Sequence, residues 1–289
     1  MFIVAGSDQI RSTSADGRSW GRFEIGAKQH TITSVLVAGG KAIATVRRGG
    51  SVFLDTSSDG KNWKLIEISS KEYRRRMGNC IYANGQFVLF GGHAGKVNNC
   101  PVVFQTSADG AEWSEIIEYS AKGGMVRNMV FGNGRFVGVG DRGLVATMPA
   151  DLSSFNQVEG VRAIDTMVDV TFGNGVFVGV GLHGLRRWSE DGETWSEPVH
   201  GREGEHVNSV EWTGSHFIGS GAGVTFISSD GRSWEQHKNV NAPTFFTHHD
   251  GDFVGISYKG RVFHSKNAID WELVEKVDTE LRCIGAGEI

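Results

Sequence analysis

Apolar residues recur along the chain in short alternating runs, paired around Asn-Gly or a close variant of it. The clearest pair is Val170-Thr171-Phe172-Gly173-Asn174-Gly175-Val176-Phe177-Val178-Gly179-Val180-Gly181, and Val130 to Gly140 carries the same phrase. Weaker copies run from Ile81 to Val88, Glu211 to Ile218 and His249 to Val254. Asn-Gly between alternating runs predicts a tight hairpin, because that turn needs positive φ at both central residues.

A second phrase, Ser-x-Asp-Gly-x-x-Trp, sits between these hairpins. It occurs at Ser14 to Trp20, Ser57 to Trp63, Ser107 to Trp113, Ser189 to Trp195 and Ser228 to Trp234. Ser265 to Trp271 and Pro149 to Phe155 are degenerate copies. The carboxylate can accept N–H groups of its own turn, glycine takes the left-handed position, and the tryptophan opens an outer strand. The aromatic positions 20, 63, 113, 155, 195, 234 and 271 lie 43, 50, 42, 40, 39 and 37 residues apart.

Seven such units of four strands predict an all-β, seven-bladed β-propeller. The blades are expected at 278–289 with 1–26, then 27–68, 69–119, 120–160, 161–201, 202–240 and 241–277. Ile284 to Ile289 aligns with Phe131 to Phe136, and Met1 to Gly6 with Arg135 to Gly140. The C-terminus should therefore supply the innermost strand of the first blade and the N-terminus its second, closing the ring without an open sheet edge. This places Met1 close to the true start.

Composition agrees and narrows the function classes. Among 289 residues there are 41 glycines, 4 prolines, 8 tryptophans and 17 phenylalanines, which excludes a helix bundle and a disordered chain. Glycine has no three-residue period, and no apolar run approaches a membrane helix. A net charge of -4 and a pI near 6.2 argue against a nucleic-acid partner. Cys80, Cys100 and Cys283 show no disulfide or zinc spacing and read as buried thiols. The chain does not open on a basic, apolar-cored leader, which points to the cytoplasm or a virion rather than classical secretion.

The repeat resembles the Asp-box or BNR-like propellers, whose relatives include sialidase-type and photosystem II assembly-factor-type domains, and also repeats of phage-tail and bacterial surface proteins. The spacing has one residue fewer between aspartate and glycine than the standard Asp-box. The resemblance implies a propeller whose Ser-x-Asp-Gly turn joins the third and fourth strands, on the face opposite the usual ligand site. Asp16, Asp59, Asp109, Asp191 and Asp230 are accordingly assigned to structure, since they are what such a turn needs for its own backbone.

Ligands are expected at the other end of the strands, on the loops between second and third strands and the connections between blades. Arg47, Arg48, Arg75, Arg127 and Arg142 fall there, with His93 and Lys96 on the loop of the third blade, which alone is enlarged, and His183 on the short loop of the fifth. Ser34, Asn79, Asn128, Asp169 and Ser209, then Phe245 and Leu281, occupy one repeated position at the mouth of the inner strand. Of these, Asn79, Asn128 and Asp169 join the candidate site; the alternative is that such residues satisfy neighbouring backbones. His248-His249-Asp250 resembles a metal cluster only in one dimension, because adjacent strand residues point apart. No metal or other cofactor is indicated. Trp188 and Trp212 read as core or inter-blade packing.

Three function classes follow. A sialidase-like glycoside hydrolase would need an arginine triad, a tyrosine activated by a glutamate and an acid. Tyr73, Tyr82, Tyr119 and Tyr258 are the only tyrosines, Tyr82 belongs to a core strand, and the Phe/Tyr-Arg-Ile-Pro segment is absent. A non-catalytic recognition module, for a glycan or an acidic protein surface, needs only the rigid ring and its loops. A part of a larger assembly, as in a phage tail, would dock one face. The expectation is a binding or assembly module that is not an enzyme.

Overall fold

The computed structural model describes residues 1–48, 51–66, 68, 77–92, 99–202 and 205–289. It is an all-β seven-bladed propeller. Seven antiparallel sheets follow one another, and within each the strands are ordered as in the sequence apart from the sheet that holds both chain ends. In the fourth blade the strands are Val126–Gly132, Arg135–Gly140, Val145–Pro149 and Asn156–Gln157. Two sheets have three strands: in the first and fifth blades the outer strand shrinks to the single bridges Arg11↔Glu24 and Arg186↔Val199.

Backbone contacts group the chain into two units. One comprises Met1–Phe90, Val103–Ile116 and Asn241–Ile289, the other Gly91–Val102 and Ile117–Val240. In the first unit, Phe2–Gly6 lies between Arg11–Ser14 and the C-terminal strand Leu281–Ala286. The Met1 ammonium donates to the Gly287 carbonyl at 2.7 Å, and the Gly287 N–H returns a bond to Met1. The terminal strands thus share one sheet as expected, with a different register. Phe2 pairs with Ala286 and Val4 with Ile284, whereas Phe136 pairs with Phe131 and Gly138 with Met129. Ala286, not Ile284, is the counterpart of Phe131, so Cys283 rather than Leu281 occupies the repeated mouth position. A slip of two residues leaves every side chain on the same face, so alternation could not detect it.

The hairpins form as their turns dictate. Asn84-Gly85, Asn133-Gly134, Asn174-Gly175 and Asp250-Gly251 have positive φ at both residues. His249 ends its strand opposite Asp252, and Asp250-Gly251 makes the turn. Among the described residues no group of three His, Cys, Asp or Glu could hold a metal.

The Ser-x-Asp-Gly turns share one bonding pattern. The Ser189 hydroxyl accepts from the Gly192 N–H and donates to Asp191, whose Oδ1 accepts from the Glu193 and Thr194 N–H groups at 2.8 and 2.7 Å. Asp16, Asp59, Asp109 and Asp230 each accept two backbone N–H groups in the same way. The indole N–H of Trp20, Trp63 and Trp195 donates to the carbonyl of the turn glycine. In the degenerate copies Asn267 replaces the aspartate, and Ala268 and Leu152 adopt the left-handed conformation in place of glycine.

Apolar residues are buried between successive sheets. Val137, Val139 and Val145 of one blade meet Met167, Val170 and Phe177 of the next, and Val178 and Val180 meet Val210, Phe217 and Phe226. At the hairpin end the sheets approach so closely that Trp212 lies on Gly173 and Phe172 on Gly132; a Cβ on either glycine would fall inside the ring. Each ring also pairs across its own hairpin, Phe172 with Phe177 and Trp212 with Phe217, at 4.6 and 4.5 Å. Trp188 packs in the same apolar layer as Trp212. Tyr82 is on the inner strand but stands 39 % exposed, its ring tilted at 57° against Phe87. Cys80, Cys100 and Cys283 are buried and form no disulfide. No described helix is long and apolar enough to cross a membrane.

Two stability predictions follow from these contacts. Gly173→Ala lowers stability by about 1–3 kcal/mol through overpacking. In a Trp212→Ala background the added cost disappears, which denaturant midpoints of the four proteins in the cycle will measure.

For Asp191, partial burial would raise the pKa, but the Thr194 and Glu193 N–H groups and the Ser189 hydroxyl bring it down to about 2. A depressed folded pKa contributes stability above the ordinary value near 4, lost as pH falls toward 2. Asp191→Ala therefore costs about 1 kcal/mol at pH 7, and its unfolding curve converges with the wild type's as pH falls from 4 to 2.

Candidate functional site

In the second unit, described loops between second and third strands bond to the connections that lead into the next inner strands, and these segments form a polar strip. Two of the loops are three-residue turns of the same geometry, Asp141–Gly143 and Leu182–Gly184. Arg142 (φ 53°, ψ 41°) and His183 (φ 58°, ψ 34°) occupy their left-handed centres. That conformation costs a non-glycine residue about 1 kcal/mol or more and projects its side chain from a tight turn. Each turn is tied to the next connection: the Arg142 N–H donates to Thr166 Oγ1 and the His183 N–H to His206 Nδ1, both at 3.1 Å. His206 therefore carries its neutral-state proton on Nε2.

Arg127 enters the strip at the start of its inner strand, where its Nε bonds the Asp141 carboxylate at 2.5 Å. The chain then reaches an ionic cluster that the repeat gives no sign of. Asp165 has a fully buried side chain. Its Oδ2 accepts from Arg162 Nε at 3.2 Å and faces Arg187 NH1 at 3.6 Å; its Oδ1 accepts from Arg162 NH2 at 3.2 Å and faces His200 Nε2 at 3.4 Å. Arg187 is fixed a second time, through Nε to the Ser196 carbonyl at 2.8 Å. Burial lowers the Arg187 pKa against the pull of Asp165, and the bonds with Asp165 raise that of Arg162. The turn closed by Asp165 N–H on the Arg162 carbonyl carries Ile164, 66 % exposed.

These ion pairs are layered. The Arg127 side chain is 43 % exposed over Asp141 at 25 %, and Arg162 is 60 % exposed over Asp165 at 0 %. At the hairpin end of the same unit the layering is reversed, with Arg232 at 43 % beneath Glu190 at 67 %. Solvent at the loop end meets guanidinium groups whose counter-ions lie beneath them.

The mouth residues bind strands together. The Asn128 amide donates to Asp169 Oδ1 and its own oxygen accepts the Met129 N–H. Asp169 accepts the N–H groups of Val170 and Val210, at 2.9 and 2.7 Å. Three consecutive inner strands are thereby linked. In the first unit Cys283 holds the same position and its thiol faces the Ala5 and Ile32 carbonyls. Burial raises the Asp169 pKa to about 6, against the Val210, Val170 and Asn128 bonds that lower it, although the residue keeps some contact with solvent.

The other candidates are placed as follows. Arg47 and Arg48 are exposed and end the strand Lys41–Arg48 of the first unit, paired with Val52 and Ser51 rather than lying in a loop. Asn79 lies on the inner strand Met77–Ala83 of that unit. Arg75, His93 and Lys96 lie outside the described residues. Sequence reasoning missed Arg162, Asp165, Arg187 and His200. The available signal was Arg186-Arg187, two cations in a strand segment where other blades place Leu54-Asp55, Phe104-Gln105 or Val262-Phe263.

No protein-family model and no curated protein sequence matches the chain. Solved structures do match. YCF48 bound to D1 peptide shares 15 % identity at a TM-score of 0.63, over 91 % of this chain and 84 % of that one. The computationally designed Ika8 protein matches at 0.60 with 11 % identity, over 97 % and 90 % of the two chains. Sqt1 of Saccharomyces cerevisiae matches at 0.65 with 10 % identity, over 97 % and 84 %. The likeness is one of fold. It supports the expected propeller and bears on no Asp-box or BNR family.

Asp169 yields a pH dependence whose sign is opposite to that of the turn aspartates. A folded pKa near 6 exceeds the unfolded value near 4, so the folded state holds the extra proton and stability falls as pH rises between them. The loss is on the order of 2–3 kcal/mol. Asp169→Asn should abolish that component of the slope in chemical denaturation between pH 4 and 6.5.

Proposed function

We propose that the protein is a non-catalytic binding module that takes an acidic protein segment on the loop end of its second unit. The observation that carries this reading is the layering of the ion pairs: Arg127 and Arg162, with side chains 43 % and 60 % exposed, lie over the less exposed carboxylates of Asp141 and Asp165. A guanidinium fixed in this way has lost its side-chain entropy before the partner arrives, and it binds carboxylates in planar, bidentate geometry. Arg142 and His183 project beside it from strained turns, and Ile164 offers an exposed apolar contact.

The structural neighbours support a polypeptide over a glycan as the occupant, since one was solved with a bound peptide. The short charged strip also suits a side-chain-mediated contact better than the stacked aromatic platform a sugar would use. A hydrolase would need a nucleophile and acid facing one another in this strip, and the carboxylates here face guanidinium groups.

The test uses synthetic peptides of about twelve residues, each with glutamates flanking one large apolar residue, against neutral peptides of the same length. Binding should favour the acidic set, weaken with salt, and fall at least tenfold in Arg142→Glu and Arg162→Glu. Equal binding of both sets, or indifference to these charge reversals in folded protein, overturns the reading.

A further inference from the structure

We propose that His200 is a pH gate on Arg162: protonation of the imidazole transfers the buried Asp165 carboxylate from Arg162 to His200 and releases the arginine into solvent. The consequence for binding rests on the reading of this strip as the contact face, but the gate itself belongs to the free protein.

The geometry contains both states. Arg162 NH2 lies 3.2 Å from Asp165 Oδ1 and 3.2 Å from His200 Nε2, and that imidazole nitrogen lies 3.4 Å from the same Oδ1. In the neutral tautomer with its proton on Nδ1, His200 Nε2 offers a lone pair, and the two N–H groups of Arg162 NH2 are satisfied by the carboxylate and the ring. Once Nε2 carries a proton it can only donate. It then points a hydrogen at Asp165 Oδ1 and stands as a second cation 3.2 Å from the guanidinium. The repulsion between these two adjacent cations then works against Asp165 keeping both.

Mobility selects which one. Arg187 has an 8 % exposed side chain and is tied to the Ser196 and Trp195 carbonyls. The His200 side chain is 35 % exposed, less than that of Arg162, and its backbone lies between the Arg186↔Val199 bridge and the Gly201 N–H on the His183 carbonyl. Arg162, 60 % exposed, has solvent to move into.

The remaining charges around the ring do not take over the role. Glu197 acts on Arg162 and Arg187 through space from an exposed position. Glu205, beside Gly201, bonds the Arg202 N–H and the Gln236 amide. His206 is engaged by the His183 N–H, and Arg186 lies over the Phe226 ring. Release removes the anchoring of Arg162 beside Ile164.

The experiment is a proton NMR titration of the isolated protein from pH 8 to 5, following the His200 ring and the Arg162 Nε–H. The Arg162 signal should lose its protection from exchange with the same midpoint as His200, and should keep it throughout in His200→Gln. Arg162→Gln should move the His200 midpoint upward, because a competing cation is gone. Protection of Arg162 that is indifferent to His200, or equal loss of it in His200→Gln, overturns the gate. Neither outcome depends on a partner, so the gate can fail while the acidic-peptide reading stands, and the reverse.

Discussion

The fold depends on how closely two neighbouring sheets can approach at the hairpin end of the inner strands. Trp212 rests on Gly173 and Phe172 on Gly132, and any side chain in place of those glycines would enter the ring. The same approach lets Asn128, Asp169 and Val210 bond across three successive inner strands at the other end. The sheets of the fourth, fifth and sixth blades are thus fixed at both ends against one another, with the valine-rich layer between. A blade has no complete core of its own, which is the general condition of repeat folds. The high glycine content follows from this constraint as much as from the turns.

What was legible in the sequence is what lies within a few residues. Asn174-Gly175 and Ser189-x-Asp191-Gly192 make their turns from local bonds, so their spacing revealed seven units and the order of strands. Even the degenerate copies kept the geometry, with Ala268 and Leu152 accepting the left-handed conformation. Register was less legible. The C-terminal strand pairs two residues away from the expected alignment, and a period of two cannot distinguish those choices. The outer strands of the first and fifth blades are reduced to single bridges, because strand continuation at the rim has no local signal comparable to the turns.

The candidate site was legible only in its sequence-adjacent parts. Arg142 and His183 sit in three-residue turns and were found as loop residues. Asp165, Arg162, Arg187 and His200 come from a connection, a strand and a second connection, and none repeats in other blades. Their meeting is a property of the folded blade. Asp169 shows the converse: its position repeats, which suggested a polar opening, and the bonds it makes run to neighbouring strands.

A buried carboxylate clamped by two arginines is a poor device for stability alone, since desolvation of three charges consumes most of their attraction. Elsewhere the chain secures its connections more simply. The Gln9 N–H bonds the His30 carbonyl, and the Val277 N–H bonds that of Gly260, with no ion involved. The Asp165 cluster accomplishes nothing for its turn that such backbone bonds could not. What it adds is a guanidinium held at the surface with its counter-ion beneath it and a titratable ring within reach of both. An arrangement that costs the folded state and orders the solvent-facing charge is better accounted for by what it presents than by what it holds together.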